Sequence, residues 1–287
     1  MSISAKDVKA LRESTGAGMM DCKRSLTDAD GDIDRAMELL RERGLAKAGK
    51  RSGRETSEGA VVFSVDGGSG VLIELGCETD FVAKTPDFQG LCSRVAEAIR
   101  AVGDVMDVDV ALAVSLDGST VADVIKAAVA KMGENIQLKR VASVDVKGFA
   151  GGYVHGAGSL GVLLGLETTA SGDAIDDVLK DVAMHVAAHD PTPLAIDRDG
   201  LAAGTVEKER TFLTNQALES GKPENVVEKM VDGRINKFFA ENCLIEQKFV
   251  KDPDKSIRDV LADAGKAAGG DVKVAHFVRF KLGEAAS

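Results

Sequence analysis

Three features of the 287-residue sequence predict an α+β fold with separate helical parts. Apolar residues recur at helical spacing over the first 45 residues, and between Gly200 and Gly233 the chain reads as helical and polar. A strand, glycine-rich turn, strand pattern followed by an amphipathic helix occurs twice, about 90 residues apart. The closing segment DVKVAHFVRFKLG alternates polar and apolar residues, as an edge or closing strand does. The length suits roughly two domains.

Ser4 is a suitable N-cap for a first helix carrying Val8 and Leu11 on one face. STGAGMMD breaks it and brings in Met19 and Met20, from which a second helix runs through Cys22 and Leu26. TDADGD turns the chain into a third helix with Ile33, Ala36, Met37 and Leu40, expected to stop near Gly44. LAKAGKRSGRETSEG reads as an exposed linker, and its few apolar residues predict a detachable bundle before it. AVVFSVDGGSGVLIELGCETD predicts a hairpin, PDFQGLCSRVAEAIRAV and TVADVIKAAVAKMGEN predict helices, and IQLKRVASVDV a strand. The order then repeats: GVLLGL (161–166) matches GVLIEL (70–75), and DDVLKDVAMHVAAH follows as a helix. TVEKERTFLTNQALES and ENVVEKMVDGRINKFFAE, punctuated by Gly221 and Pro223, predict an antiparallel helical hairpin.

Hydrophobic residues make up 44% and charged residues 29%, an ordinary globular balance. The net charge of −10 is unevenly placed: residues 1–54 hold 12 Lys and Arg against 9 Asp and Glu, and the remainder is strongly acidic. An acidic bulk with no Trp and one Tyr argues against nucleic acid as the main partner. The basic run from Lys47 to Arg54 could still meet an acidic surface. No apolar run is long enough to span a membrane, and the first residues show no secretory signal. Four scattered cysteines without a CxxC pair suit a reducing cytoplasm.

Catalytic patterns are weak. GLAKAGKR (44–51) approaches a phosphate loop, but Arg51 stands where a magnesium-binding Ser or Thr is needed and the segment follows a helix. His185 and His189 have metal-ligand spacing, yet Val186 stands where a zinc protease has its general base, so core or helix-end histidines are expected and no metal. Cys22, Cys77, Cys92 and Cys243 read as packing residues. ETDFVAKTPDF (78–88) stands out because Phe81 and Val82 lie between Asp80 and Lys84 after a strand. Phe81 either starts the next helix and packs inward or is an exposed wedge for a partner.

The run ISAKDVKALRESTGAGMMDCKRSLTDADGDIDRAMELLRERGLAKAGKRSGR resembles the start of the bacterial translation elongation factor Ts family. The resemblance continues through ELGCETDFVAKTPDF, YVHGAGSLGVLL, DVAMHVAAHDP and EKMVDGRINKFFAENCLIEQKFVKDP. It implies a guanine-nucleotide exchange factor, not an enzyme and without a cofactor of its own, acting on elongation factor Tu with GDP in the cytoplasm. It implies an N-terminal three-helix (UBA-like) domain, a core of two related α+β subdomains and a protruding antiparallel helical hairpin. The expected boundaries are 1–54, 55–145, 146–190, 191–232 for the hairpin, and 233–287 for the rest of the second subdomain.

By the same resemblance, Thr79, Asp80, Phe81, Val82 and Ala83 form the segment that dislodges magnesium from the partner. Met132 and Gly133, His155, and Val8, Leu11, Gly16 and Met20 are further expected partner contacts. Two departures stand out: Ala157 and Ser159-Leu160 where many members have Asn and Arg-Ile, and a chain closing on FVRFKLGEAAS without the extra helix of some members. The alternative reading is a non-exchanging protein-binding module using the three-helix domain.

Overall fold

A computed structural model describes residues 3–219 and 223–284. The fold is α+β. The first helix, α1 (Ala5–Thr15), opens on a capping box: Ser4 Oγ accepts the Asp7 N–H, and the Asp7 carboxylate accepts the Ser4 N–H. It closes on Gly16 in the left-handed region. Helices α2 (Met19–Asp28) and α3 (Ile33–Arg51) complete a bundle whose core is Val8, Leu11, Cys22, Leu26 and Ala36. Ile33 and Met37, expected on the inner face, are exposed.

The first unit comprises β1 (Glu58–Asp66), β2 (Ser69–Cys77), α4 (Asp80–Ala83), α5 (Pro86–Val102), α6 (Val108–Ala113), a small ladder of β3 (Ser115–Leu116) and β4 (Ser119–Thr120), α7 (Val121–Met132) and β5 (Ile136–Asp145). The second begins with β6 (Gly148–His155), β7 (Leu160–Glu167) and α8 (Asp173–Ala188). It continues after α9 (Ala203–Leu218) and α10 (Glu224–Asn242) with β8 (Lys248–Phe249), β9 (Asp252–Ser256), α11 (Ile257–Ala268) and β10 (Lys273–Lys281). The sheets have order β1-β2-β5 and β10-β7-β6, all antiparallel. In both units the second hairpin strand is central, and a later strand pairs with it.

The central strands β2 and β7 are buried along nearly their whole length because both faces are covered. One face of each lies under helices, α5 and α7 on the first sheet and α8 on the second, with α11 packed on α8. The other faces meet through Val61, Leu72, Val144, Leu163 and Phe280. The close approach relies on glycine. A Cβ at Gly70 would lie 2.9 Å from a Leu163 methyl, and one at Gly161 would lie 2.6 Å from Val61 and 3.1 Å from Leu72. Each Gly of the repeated GVL motif thus receives the Leu of the other copy.

The expected linker is largely absent. α3 continues through Gly44 to Arg51, since the Leu, Ala, Lys and Arg of this stretch are good helix formers. Gly44 marks a helix crossing, not a stop: a Cβ there would fall 2.8 Å from the Ala130 Cβ of α7. Ala48 is buried with the first unit's core. Beyond α3, Asn135 Nδ2 donates to Arg54 O at 2.7 Å and Gln137 Nε2 to Ser52 O at 3.0 Å. The bundle is docked, and the reading of the stretch after Gly44 as an exposed linker is corrected.

α9 and α10 pack through Leu213, Ala217, Val227, Val231 and Ile235. Pro223 precedes α10 as expected, and Gly221 lies outside the described residues. α10 runs straight through the expected boundary at 232 to Asn242. No helix among the described residues is long and apolar enough to cross a membrane.

His185 and His189 hold structure. Buried His185 shares a 2.9 Å hydrogen bond from Nε2 to Gln247 Oε1, and its Nδ1 accepts the Val250 N–H. Gln247 donates onward to Pro191 O and Glu241 O, and His189 Nδ1 contacts Pro191 O. No group of three or more His, Cys, Asp or Glu among the described residues is arranged for a metal ion.

Two tests follow from this packing. Gly44→Leu should lift α3 from α7 at a cost of about 1–3 kcal/mol and open the chain near Ser52 to limited proteolysis; unchanged protection would contradict the crossing. Burial pushes His185 down to about 4, against the opposing hydrogen bond to Gln247. Its unfolded value near 6.5 is higher, so the unfolded chain binds more protons between the two. The neutral ring's contribution is full above about pH 6.5 and falls as pH drops towards 4, by up to roughly 3 kcal/mol. A ring NMR titration with its midpoint near 6.5 would remove this source of acid sensitivity.

Candidate functional site

β2 ends at Cys77, whose buried thiol donates to Thr79 O at 3.2 Å and is pushed up to about 12 by burial. Immediately beyond, Thr79 caps the four-residue helix α4, its Oγ accepting the Val82 N–H at 3.3 Å. Ala83 is buried, Val82 is partly buried against the first unit's core, and Phe81 is 81% exposed. No large hydrophobic side chain among the described residues is more exposed. The inward-packing possibility for Phe81 is therefore removed: Val82 and Ala83 anchor the helix, and the aromatic points away.

Asp80 and Lys84 pair at 2.6 Å across one turn, which lowers the Asp80 pKa and raises that of Lys84. Both are exposed, so the pair orients the surface more than it stabilises the fold. Ala83 O accepts from Gln89 Nε2 at 2.7 Å, fixing the far end of α4 to α5.

The second expected contact segment lies directly beside the first. α7 ends on Gly133 at φ 82°, a conformation that suits glycine, with Met132 partly buried. The chain then presents Glu134 and Asn135 to the Thr79 loop. Glu134 accepts the Thr79 hydroxyl at 2.6 Å and the Thr79 N–H at 3.0 Å. In the opposite direction, the Asn135 N–H donates to Glu78 at 2.7 Å, which together with Arg54 lowers the Glu78 pKa. Glu78, Glu134 and Asn135 hold the site together, yet no motif marked them. The only available signal was their position next to the two segments, in ETDFV and KMGEN.

The N-terminal bundle abuts the same region. A Cβ at Gly16 would sit 2.7 Å from Lys131 Cε, and Lys131 pairs with Asp87 of α5 at 2.9 Å. Met20, at the start of α2, is 69% exposed and Met19 53%. Val8 and Leu11, at 8% and 1% exposure, belong to the bundle core. Their helical spacing marks the inner face of α1.

His155 stands apart, exposed at the end of β6, and shares a 3.1 Å hydrogen bond with Tyr153 Oη. The following turn rests on β1: Gly158 O accepts the Val61 N–H at 2.8 Å, and a Cβ at Gly158 would meet Ala60. Ser159 Oγ donates to His155 O, so the altered residues of this turn still close it. The GLAKAGKR segment is the interior of α3 and offers no loop to cradle a phosphate.

The family model "Elongation factor TS" matches residues 78–284, beginning at the Glu78 loop. Curated relatives called elongation factor Ts extend the likeness over the bundle. One from Clostridium botulinum is 46% identical across 98% of this chain and 93% of its own length. One from Clostridioides difficile is 44% identical across 99% and 93%, and one from Clostridium perfringens 45% across 98% and 93%. The chain belongs to the elongation factor Ts family, the elongation factors of translation.

Proposed function

We propose that the protein is a guanine-nucleotide exchange factor for elongation factor Tu, promoting GDP release with Phe81 as the wedge that displaces the partner's magnesium. The observation that carries this reading is an aromatic side chain held almost fully in solvent by a helix anchored on both sides. Ordered, exposed aromatics of this kind make protein-contact hot spots. Exchange needs no bond chemistry. A factor that binds the empty GTPase more tightly than the GDP-bound one must weaken GDP binding by the same ratio. Magnesium is a natural target, since it bridges nucleotide phosphate and protein.

Met132, Gly133, Asp80 and the Lys84 pair supply the rim around Phe81, Gly16 and Met20 a second contact from the bundle, and His155 a third from the second unit. The bundle is read as UBA-like, the two units as related subdomains, and α9–α10 as a protruding hairpin extended to 242. The cytoplasm is the proposed compartment. The other reading, a binding module without exchange activity, draws on the exposed Met19 and Met20 of the bundle. Release of labelled GDP from elongation factor Tu separates the two: binding without faster release would leave only the module.

Phe81→Ala should slow release by roughly 30- to 1,000-fold, the equivalent of about 2–4 kcal/mol. Because Phe81 is exposed, melting should stay near that of the parent. A sharp drop in melting with exchange per folded molecule preserved would reverse the assignment. The isolated protein should bind neither GDP nor GTP, and calorimetry giving a one-to-one micromolar nucleotide complex would defeat a mechanism confined to the partner's site.

A further inference from the structure

We propose that Glu134 is a positioning residue that presets the Phe81 helix for exchange, an inference that rests on the exchange reading above. Four residues are too few for a self-sustaining helix, because nucleation fixes several dihedrals for a single hydrogen bond. The geometry of α4 therefore comes from its anchors. At its far end the anchors are Gln89 on Ala83 O and the buried Ala83 side chain. At its start there is Thr79, and Thr79 is held by Glu134.

The carboxylate of Glu134 takes both donors of Thr79, the hydroxyl at 2.6 Å and the N–H at 3.0 Å. With the hydroxyl proton committed to Glu134, an Oγ lone pair is left facing the Val82 N–H, which it accepts at 3.3 Å. Glu134 thus sets the rotor that caps α4 and fixes the peptide leading into it. Hydrogen bonds to an ionised acceptor are about twice as strong as neutral ones, and successive bonds polarise one another. Glu134 itself is fixed by its neighbours: Gly133 ends α7 on one side, and on the other Asn135 is buried with its N–H on Glu78.

Without Glu134 the Thr79 hydroxyl can rotate away, its N–H loses its partner, and α4 populates frayed forms. A wedge that is competent only part of the time acts with its intrinsic strength reduced by that fraction. The consequence is selective. Contacts through Gly16, Met20 and His155 do not depend on α4, so the initial complex with the GDP-bound partner is kept. The step lost is the one Phe81 performs.

The test is the rate of labelled GDP release from elongation factor Tu, measured against the concentration of the full-length protein. Glu134→Ala should lower the saturating rate by about ten- to a hundredfold, with the half-saturating concentration changed less than threefold. Glu134→Gln keeps one acceptor oxygen and should recover part of the loss. Thr79→Val, which removes the hydroxyl from the other side, should lower the saturating rate in the same way, and so serves if Glu134→Ala fails to fold. Combined with Phe81→Ala, Glu134→Ala should add little, since both remove one step.

A parental saturating rate in Glu134→Ala, or an additive loss on top of Phe81→Ala, would overturn the positioning role. So would a loss confined to melting temperature. If Phe81→Ala itself has no effect, the wedge reading fails first. If Phe81→Ala is slow and Glu134→Ala is not, only the role of Glu134 fails.

Discussion

The chain crosses itself at residues 78–79 and 134–135, and the start of α4, the end of α7 and the exit of the N-terminal bundle all meet at that crossing. Two carboxylates answer each other there, Glu78 taking the Asn135 N–H and Glu134 the Thr79 donors. The Asn135 side chain extends the crossing to a third strand of chain by donating to Arg54 O. Strand end, helix end and bundle exit are thereby tied within a few residues. Asn135 is buried, so losing any one partner would strand a polar group away from water, which costs more than the hydrogen bond itself contributes. Glu134 fixes the start of α4, and Asn135 separately fixes the exit of the N-terminal bundle.

The repeated strand order explains the scaffold but not the site. The reciprocal fit of Gly70 with Leu163 and Gly161 with Leu72 lets two sheets lie face to face as near copies. The copies then diverge where they carry different loads. Glu74 of β2 has Gly165 as its counterpart in β7, and it is buried against Arg140. Arg140 also donates to Lys281 O and lies 4.3 Å over the Phe280 ring, so the pair joins the first sheet to the last strand of the second. After the central strand, the first unit spends Glu78–Thr85 before its helix and the second only Thr168–Gly172. The extra length is α4. The second unit has no helix at that place.

Much of this was legible because hydrophobic period reports burial directly. The GVLIEL and GVLLGL strands and the helices that flank them carry it, while the hairpin of α9 and α10 shows itself by the Pro223 that opens its second helix. Val8 and Leu11 carry the period too, and both are turned inwards. The linker reading failed, however: Gly44 is a helix breaker by propensity, but here its missing side chain is what lets α3 lie on Ala130. Tertiary contact decides the sign of a glycine, and one sequence does not contain the partner helix's position. Phe81 was legible as an anomaly, an aromatic among charges, without a direction. Its direction is set by Ala83 and by Glu134, and the latter is 55 residues from Thr79 in sequence.

The docking of the bundle changes what the proposed exchange reaction can use. Gly44 on Ala130, Gly16 against Lys131 and Asn135 on Arg54 place the exposed Met20 and Phe81 on one connected body. Two contacts on a rigid body can be engaged together with little further loss of freedom, and this raises occupancy of the partner. Occupancy is not exchange. Contacts that are equally good with the GDP-bound and the empty partner cancel from the ratio that drives release; only contacts made better in the empty form count. On this reading the bundle supplies grip, and Phe81 supplies the difference. A wedge can supply that difference only if it arrives already formed, because ordering it on the partner would consume the same binding energy that must displace magnesium. The rigidity of the crossing, more than the chemistry of the aromatic ring, is then the property that distinguishes an exchange factor from a protein that merely binds.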